Sequence, residues 1–137
     1  MFARWSTTTP APASTIPIGT LALDLRFVLE NESVSYGTRL LDCSATTIEG
    51  TVRNVTGDPL AGMTIRLWSS DPAQAVALVT DENGWYSAQA ATGVVNTTFY
   101  LQIVDAAGTT LLSDVAAVQA IPDCSHNVMT VNFTATR

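Results

Sequence analysis

Residues 20–30 alternate with period two, and this constrains the fold more than any other stretch. Leu21, Leu23, Leu25, Phe27 and Leu29 share one parity, and Thr20, Ala22, Asp24, Arg26, Val28 and Glu30 share the other. Five large apolar side chains at every second position specify an amphipathic strand, because successive strand residues face opposite ways. The rhythm continues downstream. Met63, Ile65 and Leu67 alternate with Thr64, Arg66 and Trp68, while Met129, Val131, Phe133 and Ala135 alternate with Thr130, Asn132, Thr134 and Thr136. Between the apolar runs stand turn signals. Gly57-Asp58-Pro59 forms one and Asp81-Glu82-Asn83-Gly84 another, the second a hairpin signal because Asn-Gly tolerates positive φ. Strands at short spacing with no 3.6-residue period predict an all-β sandwich, with helix limited to a turn near Asp71 to Gln74.

The remaining composition excludes several functions. The chain has 137 residues, the size of one domain. Its net charge of −6, with no Lys and six scattered Arg, argues against nucleic acid as a partner. Without Lys there is neither Schiff-base chemistry nor a P-loop. One His and two Cys argue against a structural zinc site, and no metal is expected. No apolar run is long enough for a membrane-spanning helix. No cofactor and no catalytic constellation are expected. His126, with Asp123 and Ser125 nearby, lacks a nucleophile elbow, and neighbours within one turn rarely satisfy triad geometry. Asp81, Glu82 and Asn83 lack EF-hand spacing and read as a hairpin turn.

Residues 48–86 carry a recognisable pattern. It runs from Ile48-Glu-Gly-Thr-Val-Arg through Gly57-Asp-Pro-Leu60 and Gly62 to Thr80-Asp81 and Gly84-Trp-Tyr86. This resembles the carboxypeptidase-regulatory-like, transthyretin-like modules of bacterial surface proteins. The resemblance covers roughly residues 46–137 and weakens after 90. It implies a seven-stranded prealbumin-like, Ig-like sandwich and a non-catalytic role as spacer, adhesive stalk or polymer building block. Residues 1–45 lie outside it. The expected organisation is therefore a Thr/Pro-rich extended arm at 1–19, an N-terminal strand and linker at 20–45, and the module at 46–137. The arm, with Pro10, Pro12 and Pro17, reads as a flexible terminus, an arm ordered on a neighbour, or an O-glycosylated stalk.

Candidate sites follow. Cys43 and Cys124, eighty-one positions apart, suit one disulfide in an oxidising compartment, the alternative being two buried thiols. Four N-glycosylation sequons begin at Asn31, Asn54, Asn96 and Asn132. With six Asn and 30 Ser plus Thr, chance supplies about one. A Thr-rich sandwich can also generate sequons incidentally. Thr7, Thr8 and Thr9 are candidate O-glycan carriers. Trp68, of outward parity, is either an exposed interface aromatic or packed beneath the N-terminal segment.

Two functional readings result. The first is an extracellular, self-assembling structural subunit, its leader removed. Its N-terminal strand (Leu21, Leu23, Leu25, Phe27, Leu29) would add to a neighbour's sheet and so form a homo-oligomer or homopolymer. Pairing of that strand within its own module is the competing possibility. The second reading is a carbohydrate-binding or adhesive surface module with glycans as partners, Trp5, Trp68 and Trp85 being the stacking candidates.

Overall fold

A computed structural model describes residues 22–30, 34–39 and 43–137. The arm at 1–19, with Thr7, Thr8 and Thr9, lies outside the described residues, as do Leu21 and Asn31. The described chain is all-β. Eleven strands succeed one another: β1 (Ala22–Leu29), β2 (Ser35–Gly37), β3 (Ala45–Arg53), β4 (Thr64–Trp68), β5 (Val76–Val79), β6 (Trp85–Thr92), β7 (Thr98–Val104), β8 (Thr110–Ser113), β9 (Ala116–Gln119), β10 (Val128–Thr130) and β11 (Phe133–Ala135). A 3-10 turn at Pro72–Gln74 is capped by the Asp71 side chain. No described helix is long and apolar enough to cross a membrane.

The count of eleven, against an expected seven in the module and one strand ahead of it, arises partly because interruptions split long strands. The final strand breaks between β10 and β11. Both halves run parallel to β3, with Met129 opposite Ile48 and Phe133 opposite Val52. At the break the Val131 N–H donates to the Glu49 carbonyl, and the Asn132 Oδ1 accepts the Thr51 N–H at 2.9 Å. A side-chain amide thus stands in for a missing ladder carbonyl. Likewise β8 and β9 are one strand interrupted at Asp114–Val115. There the Ser113 hydroxyl accepts the Ile103 N–H at 2.9 Å. β2 falls in a stretch that reads as loop in the sequence. It pairs with β10.

β3 links two sheet portions. On one side it pairs antiparallel with β6, and on the other it meets β10 and then β11. β1 lies beside β11, then come β8, β7, β4 and β5. Ile48, Val52, Ile65, Leu101, Ile103, Met129, Val131 and Phe133 fill one core, each at most 1% exposed. The inward parities of the fourth strand and of the last one hold residue by residue. Gly50 allows the closest approach. A Cβ there would lie 1.8 Å from the Val131 carbonyl oxygen, which also receives the buried Tyr86 hydroxyl. Gly84, at φ +71°, closes the Asp81–Trp85 turn, where the Asp81 carboxylate accepts the N–H groups of Asn83 and Trp85. The chain turns there as expected, but the hairpin does not form: β5 pairs with β4 and β6 with β3, so the turn carries the chain from one sheet portion to the other.

β1 departs from expectation in two ways. It pairs within its own chain, antiparallel to β11 (Phe27 opposite Ala135, Leu29 opposite Phe133) and parallel to β8 (Leu23 opposite Leu111). The strand expected to join a neighbour's sheet is therefore a member of its own. Nor do its five apolar residues share a buried face. The pairing with β8 slips between Leu23 and Phe27. Leu23 is 70% and Leu25 44% exposed, while Phe27 is buried and Leu29 half-buried. The slip displaces the first half of the strand from the core, which strict alternation could not foresee. β1 and β2 both bond to the final strands.

Candidate functional site

Where β8 ends at Ser113 its pairing with β1 ends too, and this leaves a slot in the sheet. Past Ser113, β9 stays paired with β7, Leu101 opposite Ala116 and Thr98 opposite Gln119, but no longer with β1. The two strands diverge around a cleft of about 340 Å³ bordered by Val28, Leu29, Ser113, Asp114, Val115 and Ala117, with Phe27 and Phe133 at its base. Hydrogen-bond alternation fixes which backbone groups face it. The Glu30 N–H donates to the Asn132 carbonyl and the Thr136 N–H to that of Arg26, so residues 26, 28 and 30 bond β11. Leu29 therefore turns its N–H and carbonyl away from β11. The Ala120 N–H donates to the Thr97 carbonyl, so by the same alternation Ala117 and Gln119 turn away from β7. The Gln119 carbonyl accepts the Tyr36 hydroxyl at 2.7 Å. Ala117 and Leu29 thus aim backbone groups at the slot from opposite walls. Val28 (50% exposed) and Val115 (43%) stand at its rim.

A second surface lies on the outer side of β4 and β7. Trp68 is half-buried and stacks on Tyr100, its cross-strand partner, with centroids 5.8 Å apart. The Arg66 guanidinium lies 5.2 Å from the Trp68 ring centre. Its Nη2 donates to the Pro72 carbonyl, while its buried Nη1 has no hydrogen-bond partner. Burial lowers the Arg66 pKa from its ordinary value. Beside Trp68 is a cleft of about 200 Å³ whose lining is mixed, with Asp71, Gln74 and Gln89 beside Leu67, Val76 and Phe99. Trp68 therefore packs on its own sheet and also borders this cleft.

The Asp123–Ser125–His126 turn gathers three residue types used in hydrolysis, but in an unproductive arrangement. The Ser125 hydroxyl and the Asp123 carboxylate both reach the same His126 nitrogen, Nδ1, at 2.9 and 3.2 Å. A relay needs the serine on one ring nitrogen and the carboxylate on the other. The Asp123 pKa is lowered, chiefly because its carboxylate accepts the Ser125 N–H, so the carboxylate serves to hold the turn. Among the described residues no group of three His, Cys, Asp or Glu could hold a metal ion.

Cys43 and Cys124 are joined, their Cα atoms 5.0 Å apart. Of the described sequon residues, Asn54 and Asn96 sit in loops. The Asn54 Oδ1 accepts from the Thr56 N–H, the Thr56 hydroxyl and the Asp58 N–H. The Asn96 Oδ1 accepts from Gln119. Asn132, expected on an outward face, is half-buried and bonded through Oδ1 to the Thr51 N–H and hydroxyl. Sequence reading missed the Arg39–Glu49 ion pair, in which Glu49 is buried. It also missed the slot, which no single residue announces.

No protein-family model and no curated protein matches the chain. Solved structures similar to it include chlorocatechol 1,2-dioxygenase from Pseudomonas putida, at 20% identity over 73% of this chain and 63% of that one, TM-score 0.46. The Bacillus anthracis TIE protein is 12% identical over 67% and 17% of the two chains, TM-score 0.46. The C-terminal fragment of the pilus adhesin SpaC from Lactobacillus rhamnosus GG is 11% identical over 68% and 45%, TM-score 0.44. The chain spans 63% or less of each.

Proposed function

We propose that this protein is a non-catalytic structural subunit of an extracellular or cell-surface assembly, and that copies join through the N-terminal strand region and arm. One observation carries the reading: Leu23, Leu25 and Val28 stand exposed along β1, and Val28 faces exposed Val115 across the slot. Large aliphatic side chains exposed on one strand, Leu23 and Leu25 with one parity and Val28 with the other, beside a gap in the sheet, support contact with another chain along this strand. The Cys43–Cys124 linkage supports an oxidising compartment. In this reading β1 stays in its own sheet and forms part of the receiving surface. The test is sedimentation velocity and negative-stain microscopy of the full chain. Polymers or large particles are expected. A protein that remains a monomer at high micromolar concentration removes the proposal.

The mixed cleft beside Trp68 favours a second reading, a carbohydrate-binding module, since an aromatic edge with amide and hydroxyl neighbours suits a sugar. Saturable tryptophan quenching by glycans, abolished by Gln89→Ala, would support it. Its absence across neutral and acidic glycans would end it.

A further inference from the structure

We infer that the slot between β1 and β9 receives residues 13–16 of a second copy's arm as an added strand. The inference rests on the self-assembly reading above and names the contact that would make it. Its chemistry is main-chain pairing, because Leu29 and Ala117 aim N–H and carbonyl groups at the slot from opposite walls. An occupant must be extended, carry consecutive N–H donors and be about as long as β9. That strand has four residues, about 13 Å of extended chain.

The chain outside the described residues contains a segment of that kind. Pro12 and Pro17 bracket Ala13-Ser14-Thr15-Ile16, four consecutive residues with an N–H, and the flanking prolines end any pairing at both sides. None of the four is charged, which avoids setting a charge against the slot's apolar base of Phe27 and Phe133, and three are small. Period two places Ser14 and Ile16 on one side. The orientation with Ile16 directed at Phe27 and Phe133 leaves Ala13 and Thr15 towards solvent, on the side of exposed Ala117.

Reach selects a second copy over the same chain. Ile16 precedes Ala22 by six residues, at most about 21 Å of chain. Phe27, on which Ile16 would pack, is five residues or about 17 Å along β1 from Ala22, and β8 occupies the edge of β1 over that stretch, from Ala22 to Phe27. An arm folding back on its own sheet would have to reverse before Ala22 and cross that filled edge with little slack. An arm from another copy needs neither. Because donor and acceptor are different surfaces, the contact is head-to-tail and continues from copy to copy.

The test uses the full chain with its native cysteines. Thr15→Cys combined with Ala117→Cys is expected to give, under mild oxidation, a reducible ladder of linked copies and a 15–117 linked peptide, absent from either single variant. A 15–117 link confined to monomer-sized chains overturns the second-copy assignment, and no 15–117 link overturns the slot. Thr15→Pro removes one N–H donor in a segment the described fold does not include. It is expected to cut the sedimenting fraction at least tenfold while thermal melting of the module is unchanged. Undiminished sedimentation overturns the inference. Should the unmodified protein fail to sediment, the self-assembly reading falls. If it sediments without the 15–117 link, only the slot assignment falls.

Discussion

Tyr86 and Gly50 meet at one carbonyl, and each shows how a single position limits this sheet. The Tyr86 hydroxyl donates to the Val131 oxygen, and burial raises its pKa far above that of an exposed tyrosine. The folded state therefore keeps a proton that the unfolded chain loses above about pH 10. Stability from this group is complete below pH 10 and falls above it, at up to about 1.4 kcal/mol per pH unit. Alkaline melting from pH 9 to 11.5 is expected to show that slope. Tyr86→Phe is expected to flatten it, at a cost of about 1–3 kcal/mol at neutral pH for the carbonyl left without its donor. Gly50→Ala puts a methyl group 1.8 Å from the same oxygen, a backbone atom held by two neighbouring strands. A loss above about 4 kcal/mol is expected, read by denaturant titration. An ordinary surface value would mean that β3 and the last strand can separate without penalty.

At the scale of elements, turns that look alike in sequence differ in what they permit. The Asn54 loop is organised by its own side-chain oxygen, which accepts three hydrogen bonds and leaves Nδ2 for a sugar. Asn96 likewise uses its oxygen in a loop. Asn132 bridges to Thr51 inside the sheet, where a glycan would have to push strands apart. Glycopeptide mapping of native material is expected to find sugars at Asn54 and Asn96 and none at Asn132. Thr56→Ala is expected to abolish the first site alone. An occupied Asn132 would show that the β10–β11 break opens. The sequon pattern revealed all four positions but not this distinction, which depends on long-range pairing. The same division applies to the fold. Alternation identified the last strand's inward residues, from Met129 to Ala135, because a strand packed on one core face carries its parity in its own sequence. It failed at Leu23 and Leu25, since a register slip is set by the partner strand. β2 was invisible because three residues carry too little period. Interruptions such as Asp114–Val115 have no local signature, so neither does the slot they open.

For the whole molecule, charge distribution bears on assembly. All twelve acidic residues and five of the six arginines follow residue 23, so residues 24–137 are strongly negative, while residues 1–23 hold only Arg4. Copies brought together by the proposed arm contact place negative modules side by side. Their repulsion extends over a Debye length, about 30 Å at 0.01 M salt and about 8 Å at 0.15 M. The contact itself consists of main-chain hydrogen bonds and apolar burial, which salt does not screen. Raising NaCl from 10 to 300 mM at fixed protein concentration is therefore expected to increase the sedimenting fraction and to lower the concentration at which polymers appear. An assembly held by Arg4 on an acidic neighbour would respond in the opposite sense, since screening would remove its attraction. Sedimentation across that series, repeated with Arg4→Gln, separates the two. Growth with salt that survives the substitution supports backbone pairing. Dissolution by salt would shift the joint from the slot to the arm's one cation.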